Sequence, residues 1–342
     1  MATIHDVAEK AGVSIATVSR AFSGGTINEH TREQIHIIAN QLNYSPKKYR
    51  RHGMNISKHS MIGVIISCHN YPWFNLILSG INSILEEKGI TPIFADTCED
   101  PYKDVTNINK LKDIVCGLLV VSSTEMDSYC TDFLKEINRK VPVVTMIRNT
   151  NIPTIDSILI DSFRSTYEGI NLLLENGHHH VGIINGPMTF KLSFDRLAAY
   201  TEALTARGIP IRSDYVCYGS FKEEHACELA TSLIKNNPQI TAIFSANTAI
   251  TRGCLKAFEQ CGLSIPSDIA FLSYGDEFSF GLNRLSVSVI SDPDYDIGRQ
   301  AAELLLWRMS KSRSDKKRDP ERIIITPEII LRGSERYPSN RA

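Results

Sequence analysis

On a helix that begins at Ser14, the side chains of Ser14, Ile15, Ala16, Thr17, Ser19 and Arg20 lie outward, while Val18 and Ala21 turn inward. The outward set consists of short hydroxyls, small apolar groups and one guanidinium. Such groups suit the floor of a DNA major groove and are poor at salt-bridging to solvent. Arg20 can make a bidentate contact to a guanine edge. Ile15 and Ala16 offer no hydrogen bonds, so discrimination by them is steric or rests on thymine methyls. A small residue at Ala8, a glycine at Gly12 and an apolar anchor at Val18 complete helix-turn-helix spacing. The competing reading is an unrelated small helical bundle, because apolar residues at helical spacing are common.

Other reactive constellations are few. The run His178-His179-His180 has metal-ligand residue types, but three consecutive side chains diverge and rarely chelate one ion, so no metal is expected. The chain has no Gly-x-Ser-x-Gly elbow, no P-loop and no Gly-x-Gly-x-x-Gly. Asp292-Pro293-Asp294 reads as a turn into a helix around Ile297–Arg308, not as a pair of working carboxylates. Neither an enzyme nor a cofactor is expected.

The elements that position this outward face are three short helices between residues 3 and 44. Thr3 can cap the first, with Asp6 near its N-terminus and Ile4, Val7, Ala8 and Ala11 on one face. Gly12 breaks it, and Ser14 caps a second running from Ile15 to Phe22. The third starts at Asn28 and turns Ile35, Ile38, Ala39 and Leu42 to the same core.

The whole chain has 342 residues, 42% apolar and 22% charged, with a net charge of −1. That length predicts two or three domains, and the composition excludes a disordered or collagen-like chain. No apolar run is long enough to span a membrane and no leader opens the sequence, which predicts a cytosolic protein without membrane partners. Near-neutrality hides an asymmetry: residues 1–60 carry eight Lys/Arg against four acids, net +4, and the rest carries −5. A basic head on an acidic body implies two kinds of partner. All eight cysteines fall in the body without a Cys-x-x-Cys pair, and read as buried reduced thiols.

From Ser60 onward, apolar runs alternate with helical patterns. Strands are expected at Ile62–Ser67, Pro92–Ala95, Gly117–Val121, Val143–Ile147, Ser157–Ile160, Val181–Ile184, Ala242–Phe244 and Ile269–Ser273. Helices are expected at Phe74–Lys88, Arg164–Asn176, Phe194–Arg207 and Thr248–Cys261. Buried strands alternating with helices predict parallel sheets covered on both faces. The units are too many for one compact sheet, so two sheets with a cleft between them follow, with ligands at the strand C-termini.

Residues Ala2–Arg20, with Thr31-Arg-Glu and Tyr44-Ser-Pro, closely resemble the head of the lactose/galactose-repressor family of transcription regulators. The resemblance implies that Ile15 and Ala16 face base edges and largely set operator preference, with Arg20 working at the groove. It adds Ile4, His5, Asn28, Thr31 and Tyr44 as DNA-binding positions. It also implies a short alanine-rich hinge helix whose leucine wedges into the minor groove. This chain departs there, reading Lys47-Lys-Tyr-Arg-Arg-His-Gly-Met54 with Gly53 near the leucine position. Either Met54 is the wedge or the hinge is loose and its cations bind phosphates. The layout implied is a helix-turn-helix domain at 1–45, a hinge at 46–60 and an effector-binding and dimerisation domain at 61–342.

The body resembles a type I periplasmic-binding-protein fold, on landmarks such as Ser60–Val64, Glu99-Asp-Pro, Asn176-Gly-His178, Arg196-Leu-Ala-Ala-Tyr200 and Ala242–Asn247. By resemblance the cleft takes Trp73, Phe74 and Phe221 as stacking walls, and Arg148, Asp161, Arg196, Asn247 and Asp276 as polar contacts. Thr248, Gly275 and Ile147 stand where the family carries acids. Losing acids while keeping Arg148 and Arg196 predicts a positive pocket and an anionic polyol, a sugar acid or phosphosugar, ahead of a neutral sugar. Trp73 keeps a purine or nucleoside as the alternative. The expected protein is a homodimeric repressor that binds a palindromic operator on double-stranded DNA and responds to a small effector. A metabolite-binding transport module is the remaining alternative.

Overall fold

The computed structural model describes residues 3–23, 27–42, 61–69, 71, 73–124, 128–277, 286–310 and 319–338. Tyr44, Met54 and the hinge at 46–60 lie outside them. The chain divides into two compact units, Met1–Ser60 and Met61–Ala342.

The first unit holds α1 (Ile4–Ala11), α2 (Ile15–Ser23) and α3 (Glu29–Gln41). Thr3 and Asp6 cap α1 reciprocally: the Asp6 carboxylate accepts from the Thr3 N–H at 2.6 Å, and Thr3 Oγ1 accepts from the Asp6 N–H at 3.4 Å. Gly12 ends α1 at φ 63°, a left-handed conformation that favours glycine. Val7, Ala8, Val18, Ala21, Ile35 and Ala39 form the small core, so the faces read from the sequence do turn inward.

The second unit begins with β1 (Met61–Ile66), α4 (Trp73–Glu87), β2 (Thr91–Asp96), α5 (Pro101–Leu111) and β3 (Gly117–Val120). It continues through α6 (Ser128–Asn138), β4 (Val143–Ile147), β5 (Asp156–Ile160), α7 (Ser162–Glu175), β6 (Val181–Asn185), α8 (Lys191–Ala206) and β7 (Val216–Tyr218). Next come α9 (Glu223–Asn236), β8 (Ala242–Ser245), α10 (Thr248–Gln260), β9 (Ala270–Tyr274) and β10 (Ser288–Ser291). The last elements are α11 (Asp294–Ser310), β11 (Arg322–Ile325) and β12 (Glu328–Ile330).

Two six-stranded sheets result, ordered β11-β5-β4-β3-β1-β2 and β12-β10-β9-β8-β6-β7. The pairings are parallel except β10 with β12. The central strands are buried along their length, as parallel strands covered on both faces require. The chain passes between the sheets at Asp161, at Asp292-Pro293 and between β11 and β12. Ligand-accessible ground therefore lies where three connections cross between two lobes.

The eight expected strands form within a residue or two of their expected bounds; β7, β10, β11 and β12 add to them. Of the cysteines, Cys130 and Cys254 are buried, five are half-buried and Cys98 is exposed, which corrects the expectation of uniformly buried thiols. Cys98 sits in the loop after β2 at φ 51°, past the end of the apolar strand that would have covered it.

Helices α4 and α11 cross at backbone contact. A Cβ on Gly80 would lie 2.0 Å from the Tyr295 carbonyl oxygen, and one on Gly298 would lie 2.0 Å from the Ile77 carbonyl oxygen. These two glycines set the closeness of the helices whose N-termini bear Trp73 and Asp294.

Candidate DNA-reading face and effector cleft

On α2, Ser14, Ile15, Ala16 and Arg20 are exposed, Thr17 and Ser19 are half-buried, and Val18 is fully buried. Ile15 is 41% exposed, a large apolar side chain left facing water at the start of a short helix. Ser14 Oγ accepts from the Thr17 N–H at 3.1 Å and lies 2.9 Å from Thr17 Oγ1, so these two hydroxyls hold the start of α2 in place. His5 and Asn28 are exposed and Thr31 is half-buried. Ile4 packs half-buried against the core of the head.

The cleft of the second unit lies between the two lobes and is lined from both. Trp73 opens α4 at its edge, stacked on Tyr71 with ring centroids 5.8 Å apart. Phe190 and Phe221, 5.6 Å apart, come from the other lobe. Phe74 is not on the wall. Consecutive helical residues point about 100° apart, and Phe74 turns into the core, 1% exposed, where its ring backs Trp73 at 4.3 Å. Asp161 is also outside the lining: its carboxylate caps α7 by accepting from the Arg164 N–H at 3.1 Å.

Arg148, Arg196, Phe221, Asn247, Asp276 and Trp73 all line the cleft. Arg148 follows Ile147, whose φ of 66° is unusual for a β-branched residue; the Arg148 N–H donates to the Met146 carbonyl across this tight turn at 2.7 Å. The turn aims the guanidinium at Glu99, to which it donates twice at 2.7 Å, and at the Ser122 carbonyl, also 2.7 Å. Its face lies over Phe190, 4.4 Å from the ring centroid. Asp276 accepts two bonds from Arg332, at 2.8 and 2.6 Å. Asn247 caps α10, its Oδ1 accepting from the Ile250 N–H at 2.7 Å. Arg196, 5% exposed, lies over Tyr274 at 3.7 Å, and its Nε has no hydrogen-bond partner among the described residues.

Two carboxyls that the sequence reading assigned to a mere turn also line this space. Burial pushes Asp292 up to about 6, against the pull of Arg196 and of the Tyr274 hydroxyl, which donates to it at 3.3 Å. Asp294 is pushed up to about 8 by burial and by its neighbours Asp292 and Asp276. The expected surplus of positive charge is therefore corrected: Glu99 neutralises Arg148, and Asp292 and Asp294 replace acids missing elsewhere. At Gly275, φ is 89° and a Cβ would lie 2.8 Å from Thr248 Cγ2, so the threonine methyl occupies space beside the glycine.

His178 is fully buried, with Nδ1 3.0 Å from Thr241 Oγ1, Nε2 3.1 Å from the Glu335 carbonyl and its ring stacked on Tyr337. Burial lowers its pKa, and it serves the core. Among the described residues no helix is long and apolar enough to cross a membrane.

Residues 3–47 match the model of bacterial regulatory proteins of the lacI family, and residues 170–335 match a periplasmic binding protein-like domain. The chain is 30% identical over 339 residues to the HTH-type transcriptional repressor PurR of Actinobacillus pleuropneumoniae serotype 3 (strain JL03), covering 98% of this chain and 99% of that one. In fold it is similar to the lac repressor dimer bound to operator and the anti-inducer ONPF, with a TM-score of 0.76, 21% identity and coverage of 98% and 99%. It is likewise similar to the complex of the transcriptional regulator CelR with cellobiose, with a TM-score of 0.72, 24% identity and coverage of 98% and 100%. With a helix-turn-helix head and a ligand cleft between two parallel sheets, the chain belongs to the lacI family of bacterial regulatory proteins, as a DNA-binding transcriptional repressor under metabolite control and not an enzyme.

Proposed function

We propose that the protein acts in the cytoplasm as a homodimer whose two heads read a palindromic operator, and that a small polar ring in the cleft changes that binding. The working division is a reading head at 1–45, a hinge at 46–60 and an effector and dimerisation body at 61–342. The observation that carries the DNA reading is the outward face of α2, where Ile15, Ala16 and Arg20 stand exposed with no charged partner among themselves. Ile15 and Ala16 read by shape and methyl contact, and Arg20 reads guanine. His5, Ser14, Thr17, Ser19, Asn28, Thr31 and Tyr44 position the head on the backbone and groove, Ile4 supports it from within, and Met54 wedges the minor groove.

Effector binding draws the lobes together, and the shift alters the spacing of the two heads. The ring stacks on Trp73 opposite Phe221, with Arg196 and Asn247 donating to it and Asp292 accepting. The carboxyls of the cleft favour a sugar-like ring without negative charge over the sugar acid expected from the sequence. A purine base or nucleoside is the second reading, favoured by the joined aromatic surface of Tyr71 and Trp73.

Selection of genomic fragments by the full-length protein, followed by gel shifts with and without metabolites, tests the proposal. Retention of no fragment at low salt would sink it. Arg20→Ala is expected to weaken the selected operator about 10- to 100-fold, the equivalent of one lost bidentate base contact, with less effect on random DNA. An equal loss on both DNAs would make Arg20 a phosphate contact instead.

A further inference from the structure

Among the described residues, the charged groups lining the cleft pair off except one carboxyl. Arg148 is matched by Glu99, and Asp276 is matched by Arg332, each through two hydrogen bonds. Arg196 faces Asp292, which also takes the Tyr274 hydroxyl. Asp294, at the first turn of α11, makes no hydrogen bond or ion pair through its carboxyl among the described residues, and the charges that act on it are the carboxylates Asp292 and Asp276. No cation among the described residues stands ready for the ionised form of Asp294.

A second unspent group faces the same space. Arg196 is 95% buried and lines the cleft, and among the described residues its Nε has no partner, so its guanidinium suits a ligand that brings an acceptor. The complement of these two groups is a molecule with a cationic donor and a neutral acceptor on one compact frame. A carboxylate or phosphate would satisfy Arg196 but would meet Asp294, Asp292 and Asp276 at close quarters. A neutral hexose would leave Asp294 protonated and draw nothing from its charge.

We propose that the effector is a polar ring bearing a protonated amine, of the amino-sugar type, and that Asp294 is the residue that selects it. This rests on the reading of the cleft as the effector site. The amine enters beside Asp294 at the N-terminus of α11, the ring lies on Trp73, and a ring hydroxyl accepts from Arg196. Because Asp294 begins α11 on the connection that joins the lobes, a cation held there draws on both of them.

The acid–base consequence has a definite sign. Alone, Asp294 holds its proton to about pH 8, surrounded by Asp292, Asp276, Arg196 and the paired Arg148 and Arg332. In the unfolded chain it ionises near the ordinary value of 3.8. The folded state therefore loses stability as pH rises from that value to about 8, and a bound ammonium restores it by fixing the ionised form.

The test uses full-length protein, wild type and Asp294→Asn, with isothermal titration of matched probes: hexosamines, their parent hexoses, the corresponding uronates and free purine bases. Wild type should bind a hexosamine at least about 10-fold more tightly than its parent hexose. Asp294→Asn should erase that margin. Preference for the uronate, or a hexosamine margin or purine affinity that survives Asp294→Asn, overturns the proposal and leaves the cleft reading standing. Binding of no probe at millimolar concentration overturns both. Independently of any ligand, the melting temperature of Asp294→Asn should rise above wild type as pH goes from 5 to 9; parallel curves would show that Asp294 already has its counter-charge.

Discussion

Gly298→Val should abolish cooperative folding of the first lobe, and even Gly298→Ala should destabilise it. The sign of the alanine result is the informative part. Helix propensity alone makes alanine better than glycine by about 1 kcal/mol in a helix interior. Here an added Cβ would sit 2.0 Å from the Ile77 carbonyl oxygen, 2.8 Å from its carbon and 3.0 Å from its Cα. Those are backbone atoms of α4, and no rotamer change moves them aside. The helices must separate, which opens the close packing of α4 against α11 along with it. Overpacking costs roughly 1–3 kcal/mol where side chains can yield, and valine against backbone should exceed that, a large share of a stability of about 5–15 kcal/mol. Urea denaturation of the two variants decides the matter: a more stable Gly298→Ala would mean that the helices cross farther apart than described. Before unfolding, effector affinity should fall, because α4 and α11 bring Trp73 and Asp294 to the cleft.

Asp156→Ala should cost roughly 3–5 kcal/mol, the range for stranding one partner of a buried ion pair. Asp156 is 4% exposed and Arg308 12%. The carboxylate accepts from Arg308 Nε at 2.7 Å and from the Glu321 N–H at 2.8 Å, so it fastens the end of α11 and the approach to β11 onto β5. Alanine leaves the guanidinium buried without its anion. Replacing both residues, Asp156→Ala with Arg308→Met, should recover part of the loss, since an apolar pair carries no desolvation cost. Equal stability of the single and double variants in guanidinium titration would show that Arg308 finds water or another acceptor once Asp156 is gone.

The parts of the fold that were legible in the sequence are those in which one short stretch decides its own fate. Runs such as Val143–Ile147 are apolar throughout because parallel strands bury both faces, and they form as read. The strand β7 is three residues long and partly exposed, and β11 alternates exposed and half-buried positions at a sheet edge, so neither carries that signature. In the head, Thr3, Gly12 and Ser14 act on neighbours within a few residues, and their caps and turn were readable.

The cleft was only partly legible, because its chemistry depends on partners far away in sequence. Arg148 looked like free positive charge until the loop after β2 brought Glu99 to it, 49 residues upstream. Asp276 meets Arg332 across 56 residues. Trp73 and Phe74 were indistinguishable as aromatic neighbours; the rotation of α4 sends one to the cleft and the other to the core. Asp292 and Asp294 read as a turn because Pro293 between them is a turn signal, and nothing local announces that this turn passes between lobes.

That passage bears on how the protein is made. The first lobe takes β1 to β5 from residues 61–160, but its covering helix α11 and edge strand β11 arrive only with residues 294–325. On the ribosome, at about 5–20 residues per second, the interval is on the order of ten seconds. Throughout it the second lobe is being synthesised, while β3, β4 and the Gly80 face of α4 wait uncovered and Asp156 waits for Arg308. A nascent chain stalled before residue 294 should therefore hold an unfinished first lobe, with apolar strands offered to any chaperone that works during translation.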